Sequence, residues 1–364
     1  MRTEAPITRI AAAAYTIPTD AQESDGTLAW QATTMVVVHA QAGGRTGVGY
    51  TYSDATNAAL VTDLLAPLAE GRDAFDIPGA LLAMQRHVRN LGRDGLAATA
   101  ISAVDAALWD LKAKLLDLPL AKLLGMVRDA VPVYGSGGFT SYDDGRLQAQ
   151  LAGWVEREGC RWVKMKVGTN PAGDPARVAA ARAAIGDAGL FVDANGAYSR
   201  KQALAFADAC VRHGVVWFEE PVSSDDIAGL RLLRDRVPAP IEIAAGEYAY
   251  DLDSVRRTLE AGAVDVQQAD ASRCCGISGF LAAGALCDAH HIDLSGHCAP
   301  SLHVHAACAV RRFRHLEYFH DHVRIESILF DGAAQARGGM IVPDLSRPGL
   351  GLDFKQADAA RYSA

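Results

Sequence analysis

Eight short runs rich in β-branched and aromatic residues recur between residues 131 and 319, each followed by a stretch with the pattern of an amphipathic helix. Successive runs start 23 to 30 residues apart, which accommodates one strand and one helix. Glycines that end helices, Gly214 and Gly262, precede two of the runs. Eight such units in succession predict a closed (β/α)₈ barrel. The runs start at Val131, Arg161, Leu190, Val215, Ile241, Val264, Ile292 and His315.

Charged and polar residues stand at the points where these runs end. In a (β/α)₈ barrel the C-terminal ends of all strands meet at one mouth, so residues far apart in the chain become neighbours. The sequence therefore predicts one functional site at the mouth. Its members are Lys164, Lys166, Asp193, Asn195, Glu219, Glu220, Glu247, Asp270, His297 and Glu317.

The composition excludes several classes of function. Half of the 364 residues are hydrophobic, and the net charge of −8 provides no field that attracts nucleic acid or an anionic membrane. The first residues lack the apolar core of a signal peptide, and charges interrupt the most apolar helical stretch, residues 98–116. The seven cysteines show no C-x-x-C spacing and are expected to be reduced. We expect a cytoplasmic protein without nucleic-acid or membrane partners.

Three regions are expected along the chain. The pattern of residues 1–125 predicts an α+β capping domain, with a strand near Thr8, a hairpin that turns at Gly43 and three helices. Residues 126–319 predict the catalytic barrel. Residues 320–364 predict a C-terminal segment that returns to the cap.

The first loop of the cap, residues 17–30, is polar and long enough to reach over the barrel mouth as a lid. A solvated surface turn would have the same composition. If the segment is a lid, Glu23 is a candidate for substrate binding, together with Asn195 at the end of the third strand.

Lys164 and Lys166 are two residues apart in a strand and therefore face the same side. The outer side of a barrel strand is covered by helices, so we expect both ammonium groups inside, where each lowers the pKa of the other. Lys166 would then be a general base. The alternative is a pair of lysines at the strand end that extend to solvent.

Asp193, Glu247 and one of Glu219 and Glu220 come from three consecutive strands. Three adjacent carboxylates repel one another unless a cation neutralises them. A set of oxygen ligands without His or Cys suits Mg²⁺, or Mn²⁺, better than zinc. Alternation alone does not choose between Glu219 and Glu220, and the carboxylates could instead pair with the two lysines.

Asp270 and His297 end neighbouring strands, so a hydrogen bond between them would orient the imidazole and raise its basicity. Glu317 ends the last strand and is a candidate to bind a substrate carboxylate as its protonated acid. Cys298 beside His297 is interpreted as a small buried cysteine rather than a nucleophile. A lysine, a cation and a histidine around one cavity suit abstraction of a proton α to a carboxylate, with the cation and Lys164 stabilising the enediolate.

Over nearly its whole length the chain resembles the enolase superfamily and, within it, the mandelate racemase subgroup. The resemblance rests on the cap helix "AISAVDAALWDLKAKLLDLPLAKLLG", the tail "RGGMIVPDLSRPGLGLD" and the Lys-x-Lys at Lys164 and Lys166. One departure is Cys275, which stands where the family often has glycine. The resemblance implies Lys166 as base, Asp193, Glu219 and Glu247 as metal ligands, Asp270 and His297 as a dyad, and Glu317 as the carboxylate-binding residue.

Dehydration of sugar acids to 2-keto-3-deoxy acids is the commoner activity in proteins of this kind, so a dehydratase is favoured. A racemase or epimerase acting on a 2-substituted carboxylic acid needs the same residues and remains the alternative. A non-catalytic scaffold is disfavoured, because none of the acid–base and metal positions is missing. We also expect a homo-oligomer.

Overall fold

The computed structural model describes residues 4–364, which begin with an antiparallel sheet of β1 (Arg9–Ser24), β2 (Ala29–Ala42) and β3 (Arg45–Tyr52) in that order. β2 and β3 form the predicted hairpin, and Gly43 and Gly44 turn it with positive φ. Helices cover the sheet. They are α1 (Thr56–Ala59), α2 (Ala66–Ala69), α3 (Ile77–His87), α4 (Leu96–Leu115) and α5 (Leu120–Leu123), with a π-helical turn Leu60–Leu65 between α1 and α2.

Helix α4 packs directly on β3 because small residues face each other across the contact. A Cβ atom added to Gly47 would lie 2.2 Å from the Ala107 carbonyl oxygen, and one added to Gly49 would lie 2.3 Å from that of Ala103. Only glycine therefore permits this approach. Among residues 4–364, neither α4 nor any other helix combines the length and the hydropathy required to span a membrane.

Eight parallel strands follow and close into a barrel, because the last pairs with the first. The barrel and its cap confirm the fold class predicted from the sequence. The strands are β4 (Val131–Gly137), β5 (Trp162–Lys166), β6 (Gly189–Asp193), β7 (Val215–Glu219), β8 (Glu242–Ala245), β9 (Val266–Ala269), β10 (Asp293–Gly296) and β11 (Phe313–Phe319). The intervening helices are α6 (Asp144–Glu156), α7 (Asp174–Ala184), α8 (Arg200–Cys210), α9 (Ile227–Arg236), α10 (Leu252–Glu260), α11 (Gly276–Ala289) and α12 (Pro300–Ala309).

An aromatic layer fills the barrel beneath the charged residues. Trp217 lies two residues before Glu219, and Phe191 two before Asp193, so the members of each pair face the same side of their strand. The rings of Trp217 and Phe191 stack with centroids 5.0 Å apart, and Tyr134 lies 5.2 Å from Phe191. All three side chains are buried. The charged side chains lie above this aromatic layer, on the side of the C-terminal mouth.

The C-terminal segment contacts both the cap and the barrel. Its elements are α13 (His320–Leu329), β12 (Phe330–Asp331), β13 (Met340–Ile341), β14 (Asp353–Phe354) and α14 (Gln356–Ala359). β13 pairs with β4 at the edge of the barrel, whereas the Phe354 ring lies 5.3 Å from that of Tyr15 in the cap. Glu326 accepts a hydrogen bond of 2.6 Å from Tyr50 Oη.

Residues 17–30 differ from the expected loop, because they form the outer part of a β-hairpin between β1 and β2. The strands pair again at Glu23 with Trp30 and at Ser24 with Ala29, after an irregularity between Pro18 and Glu23. The tip turns at Asp25, whose carboxylate accepts hydrogen bonds from the N–H groups of Thr27 and Leu28. Backbone hydrogen bonds between the two polar strands make this segment an extension of the sheet, although its side-chain composition is typical of a loop.

The hairpin tip rests on the loops that follow β4 and β5. Ser24 Oγ lies 2.6 Å from Thr140 Oγ1, and Thr169 Oγ1 donates to the Asp25 carbonyl at 2.7 Å. A Cβ added to Gly26 would lie 2.3 Å from the Ala194 carbonyl oxygen. The hairpin therefore covers one side of the barrel mouth in direct contact with it.

Gly26→Ala should lift the hairpin tip from the barrel. Forcing extra atoms into a packed contact costs roughly 1–3 kcal/mol. The opened population, and with it cleavage at the exposed Leu28 by chymotrypsin, should rise about 5- to 100-fold. Gly145→Ala is the control, because its nearest neighbouring atom lies at an ordinary 3.6 Å. Equal cleavage of both variants and the wild type would contradict this seating of the hairpin.

Candidate active site

Three buried carboxylates from neighbouring barrel strands meet at the mouth. One oxygen from each of Asp193, Glu219 and Glu247 lies within 4.8 Å of the others. Asp193 and Glu219 are paired positions of β6 and β7, and Glu247 follows β8 after Gly246. The register of the parallel strands therefore produces the cluster that the sequence predicts.

Both lysines point inward and contact these carboxylates. Lys164 Nζ lies 2.5 Å from Glu219 Oε1, 3.3 Å from Asp193 Oδ2 and 2.9 Å from Glu317 Oε1. Lys166 Nζ lies 2.5 Å from Asp193 Oδ2. Lys164 is fully buried and Lys166 nearly so, which excludes a solvated pair of lysines.

The pKa of neither lysine is lowered in this arrangement, in contrast to the expectation. Burial lowers the pKa of Lys166, but Asp193 opposes it, and the pKa lies above the usual range of a lysine. Burial of Lys164 is likewise outweighed, chiefly by Glu219 and Glu317, and its pKa is raised. The carboxylates around the two ammonium groups outnumber them, so attraction exceeds the repulsion between the lysines.

The carboxylate cluster fits a hard divalent cation. Its three members offer only oxygen ligands, and Glu247 Oε2 is buried without a hydrogen-bond partner. Burial, followed by repulsion from Asp193, raises the pKa of Glu219. A cation with a preference for oxygen would satisfy this excess of buried negative charge.

The structure distinguishes the two adjacent glutamates. Glu219 belongs to the cluster and also accepts a 3.0 Å hydrogen bond from Trp217 Nε1. Glu220 follows the end of β7 with a φ of 36° and is not part of the three-carboxylate group. Glu219 therefore belongs to the three-carboxylate cluster, whereas Glu220 is buried but does not.

Asp270 and His297 form the predicted pair. His297 Nδ1 lies 2.8 Å from Asp270 Oδ2, while Asp270 Oδ1 accepts 2.7 Å hydrogen bonds from the N–H and the hydroxyl of Ser272. Burial raises the pKa of Asp270, but the hydrogen bond and charge of His297 lower it to a net value below the usual range. Asp270 is therefore an ionised acceptor that fixes the imidazole with Nε2 toward the mouth.

Glu317 is held as a carboxylate rather than as the expected protonated acid. Its Oε1 lies 2.5 Å from Ser136 Oγ and 2.9 Å from Lys164 Nζ, and its Oε2 accepts from the backbone N–H of Cys298 at 3.2 Å. Burial raises the pKa of Glu317, but Lys164 lowers it, and the net shift is downward. The adjacent ammonium group explains the difference from the expectation.

A cavity of about 480 Å³ connects these groups to the underside of the hairpin. Asn195 lines it with a buried Oδ1 that has no hydrogen-bond partner, as suits a substrate contact. Glu23 does not line it, since Glu23 is buried in the hairpin and accepts from Trp30 Nε1 at 2.9 Å. The sequence did not identify the other residues that line this cavity, which come from the cap, from loops after later strands and from α13. These are Thr33, Thr34, Tyr52, Ser53, Tyr248, Arg273 and His322.

Cys275 preserves the loop after β9 although it replaces a glycine. It adopts a φ of 66°, in the left-handed region that glycine occupies at low cost. The next residue, Gly276, also has positive φ and starts α11. The departure in sequence therefore leaves the path of the chain intact.

Comparisons with known proteins agree with this architecture and site. The family described as "Mandelate racemase / muconate lactonizing enzyme, N-terminal domain" matches residues 10–125, and "Enolase C-terminal domain-like" matches residues 146–359. The L-talarate/galactarate dehydratase of Salmonella typhimurium is 34% identical over 318 residues, which are 85% of this chain and 77% of that protein.

Two solved structures illustrate the similarity. A mandelate racemase/muconate lactonizing enzyme-like protein from Rubrobacter xylanophilus shares 54% identity at a TM-score of 0.96, covering 99% of this chain and 100% of that one. A racemase from Streptomyces coelicolor with bound magnesium shares 30% identity at a TM-score of 0.92, covering 98% and 100%. The chain belongs to the enolase superfamily, in the mandelate racemase subgroup.

Proposed function

We propose that the protein abstracts the proton α to a carboxylate in a Mg²⁺-dependent reaction and that it dehydrates a sugar acid to its 2-keto-3-deoxy acid. The observation that carries the proposal is a single cavity lined by Lys166, Glu247 and His297, with Asp193 and Glu219 adjoining Glu247. These are the groups that proton abstraction beside a carboxylate requires.

Each residue has a distinct role in this proposal. Asp193, Glu219 and Glu247 would hold Mg²⁺, which when bound supplies a Lewis acid that stabilises negative charge on the substrate carboxylate. Lys166 would accept the α-proton as the neutral amine, a form that bound Mg²⁺ would favour by neutralising Asp193, the carboxylate that otherwise raises the pKa of this lysine. Lys164 adds positive charge beside the substrate carboxylate, and Glu317 orients Lys164 through their 2.9 Å contact.

His297 supplies the acid. Its Nδ1 is bound to Asp270, so its Nε2 is directed at the reacting atoms, where it donates a proton to the departing β-hydroxyl. Asp270 keeps the imidazole in this orientation and favours its protonated form. A base and an acid from different strands thereby serve the two proton transfers of a dehydration.

Similarity to known enzymes supports dehydration over the alternatives. The Salmonella typhimurium relative is a dehydratase, as are a D-gluconate dehydratase of Thermoproteus tenax and an arabinonate dehydratase of Saccharolobus solfataricus. The Streptomyces coelicolor structure is called a racemase, so racemisation remains the second candidate. A scaffold without catalysis would leave no reason to bury this many charges around one cavity.

The distal part of the substrate is proposed to be neutral and hydroxylated, as in an aldonate. Thr33, Thr34 and Ser53 line the cavity with uncharged polar side chains, whose hydroxyls are bonded to Asp321, Thr16 and Asn57. The Arg273 guanidinium is already bound within the protein, because its Nη1 donates a hydrogen bond to the Glu247 carbonyl at 3.1 Å. Burial lowers the pKa of His322 to about 3, so this imidazole is neutral. A second carboxylate on the substrate would therefore find no unpaired cationic side chain among these residues.

We further propose a homo-oligomer in the cytoplasm, acting on small molecules rather than on nucleic acid or membranes. Three leucines of the cap, Leu82, Leu91 and Leu96, are exposed, which favours contact with another copy. All seven cysteines are free and buried, as is usual in a reducing compartment. The net charge of −8 disfavours polyanionic partners.

A screen of sugar acids with Mg²⁺ tests the reaction. We expect 2-keto product from aldonates, with kcat/KM at least about tenfold above that for aldarates, because an aldarate would bury an unpaired charge. Exhaustive EDTA dialysis should abolish the activity and Mg²⁺ should restore it. Turnover of aldarates alone would overturn the proposed distal subsite, and full activity without metal would overturn the metal requirement.

The two adjacent glutamates provide a matched test of the metal ligands. Mn²⁺ binding, followed by electron paramagnetic resonance, should weaken at least about tenfold in Glu219→Gln, because a ligand charge is lost. Glu220→Gln changes the neighbouring side chain outside the cluster, and its effect should be smaller than threefold, because burial raises the pKa of Glu220 well above its usual range and little charge is lost. Equal weakening by both substitutions would contradict the assignment of Glu219.

A further inference from the structure

A second set of metal-ligating side chains lines the same cavity, beside the carboxylate cluster. It consists of His297, Cys298 and Glu317, all of them buried. His297 Nε2 lies 3.4 Å from Cys298 Sγ and 3.6 Å from Glu317 Oε2, and Cys298 Sγ lies 3.3 Å from Glu317 Oε2. One nitrogen, one sulfur and one oxygen atom therefore converge on a single point of the wall.

These distances match one face of a zinc coordination tetrahedron. Zinc binds nitrogen and oxygen at about 2.0–2.2 Å and sulfur at about 2.3 Å, so its ligand atoms lie about 3.3–3.6 Å apart. The three donor atoms already have this spacing.

The backbone keeps the cysteine in place. Cys298 and Ala299 both have positive φ, 52° and 41°, and connect β10 to α12. The Cys298 N–H donates to Glu317 Oε2, so the residue is bound to the same carboxylate through its backbone. Burial, followed by Glu317, raises the pKa of the Cys298 thiol to about 12, which argues against a nucleophile.

We propose that His297, Cys298 and Glu317 form an inhibitory site for a thiophilic divalent cation such as Zn²⁺. Binding displaces one proton from the Cys298 thiol and one from His297 Nε2, and both protons pass to solvent. The sulfur and nitrogen ligands select Zn²⁺ or Cd²⁺ over Mg²⁺, which prefers oxygen. Inhibition by loss of the His297 acid rests on the proposed function, whereas binding of the cation does not.

Cd²⁺ titration of the Mg²⁺-loaded protein tests the site directly, because a cadmium–thiolate bond absorbs in the near ultraviolet. We expect a band that saturates at one Cd²⁺ per chain. Cys298→Ser should abolish it and weaken Cd²⁺ binding at least about tenfold. Cys275→Ser is the matched control, because Cys275 is also buried with positive φ and belongs to no three-ligand group in residues 4–364. This control should retain the band.

Inhibition is measured separately, with each variant compared with its own rate in Mg²⁺ alone. Micromolar Zn²⁺ should inhibit the wild type and Cys275→Ser, and at least about tenfold more Zn²⁺ should be needed for Cys298→Ser. A thiolate band that is absent from the wild type, or unchanged in Cys298→Ser, would overturn the site. Equal Zn²⁺ inhibition of Cys298→Ser would overturn its inhibitory role. If no sugar acid is turned over, the proposed function fails and the cadmium band still decides the site.

Discussion

The structure depends on the pairing of buried charges of opposite sign at the barrel mouth. Lys164 is completely buried, and an unpaired ammonium group in that position would destabilise the fold by several kcal/mol. It is stable because Asp193, Glu219 and Glu317 surround it from the strands on either side. Barrel closure pairs β11 with β4, which in turn pairs with β5, and Glu317 of β11 thereby reaches Lys164 of β5. The fold and the reactive site are consequently stabilised by the same contacts.

The geometry of the mouth also requires strained backbone. Within residues 4–364, seven residues other than glycine have positive φ, and five of them lie in loops that follow barrel strands. Such conformations persist where surrounding contacts compensate their strain, and they concentrate in functional sites. At Cys298 the strain places a thiol beside His297, and Glu220 has its positive φ directly after Glu219, the member of the three-carboxylate cluster. The five residues are Asn195, Glu220, Cys275, Cys298 and Ala299.

Much of the barrel and its charged ring could be read from the sequence, because both follow from local periodicity. A strand has a period of two, so Lys164 and Lys166 must face the same side, whereas the choice of Glu219 over Glu220 came from the family resemblance. The hairpin over residues 17–30 could not be read this way, since its pairing depends on backbone hydrogen bonds between polar strands. The pKa shifts of Lys166 and Glu317 could not be read from the sequence either, because Asp193 and Lys164, which cause them, come from other strands. Some residues that line the cavity, such as His322, come from another part of the chain and belong to no sequence motif, so the sequence did not identify them.

The central proposal is that Lys166 and His297 serve as base and acid and approach the substrate α-carbon from opposite faces, so that each can remove the α-hydrogen of one epimer. Proton NMR in D₂O measures it directly, with Lys166→Ala and His297→Asn tested on both α-epimers of a substrate after folding and metal content are confirmed. For the epimer whose hydrogen faces Lys166, His297→Asn should exchange the α-hydrogen without net product, whereas Lys166→Ala should do neither. The other epimer should show the reverse. Exchange of the same epimer by both variants at the wild-type rate would contradict the claim.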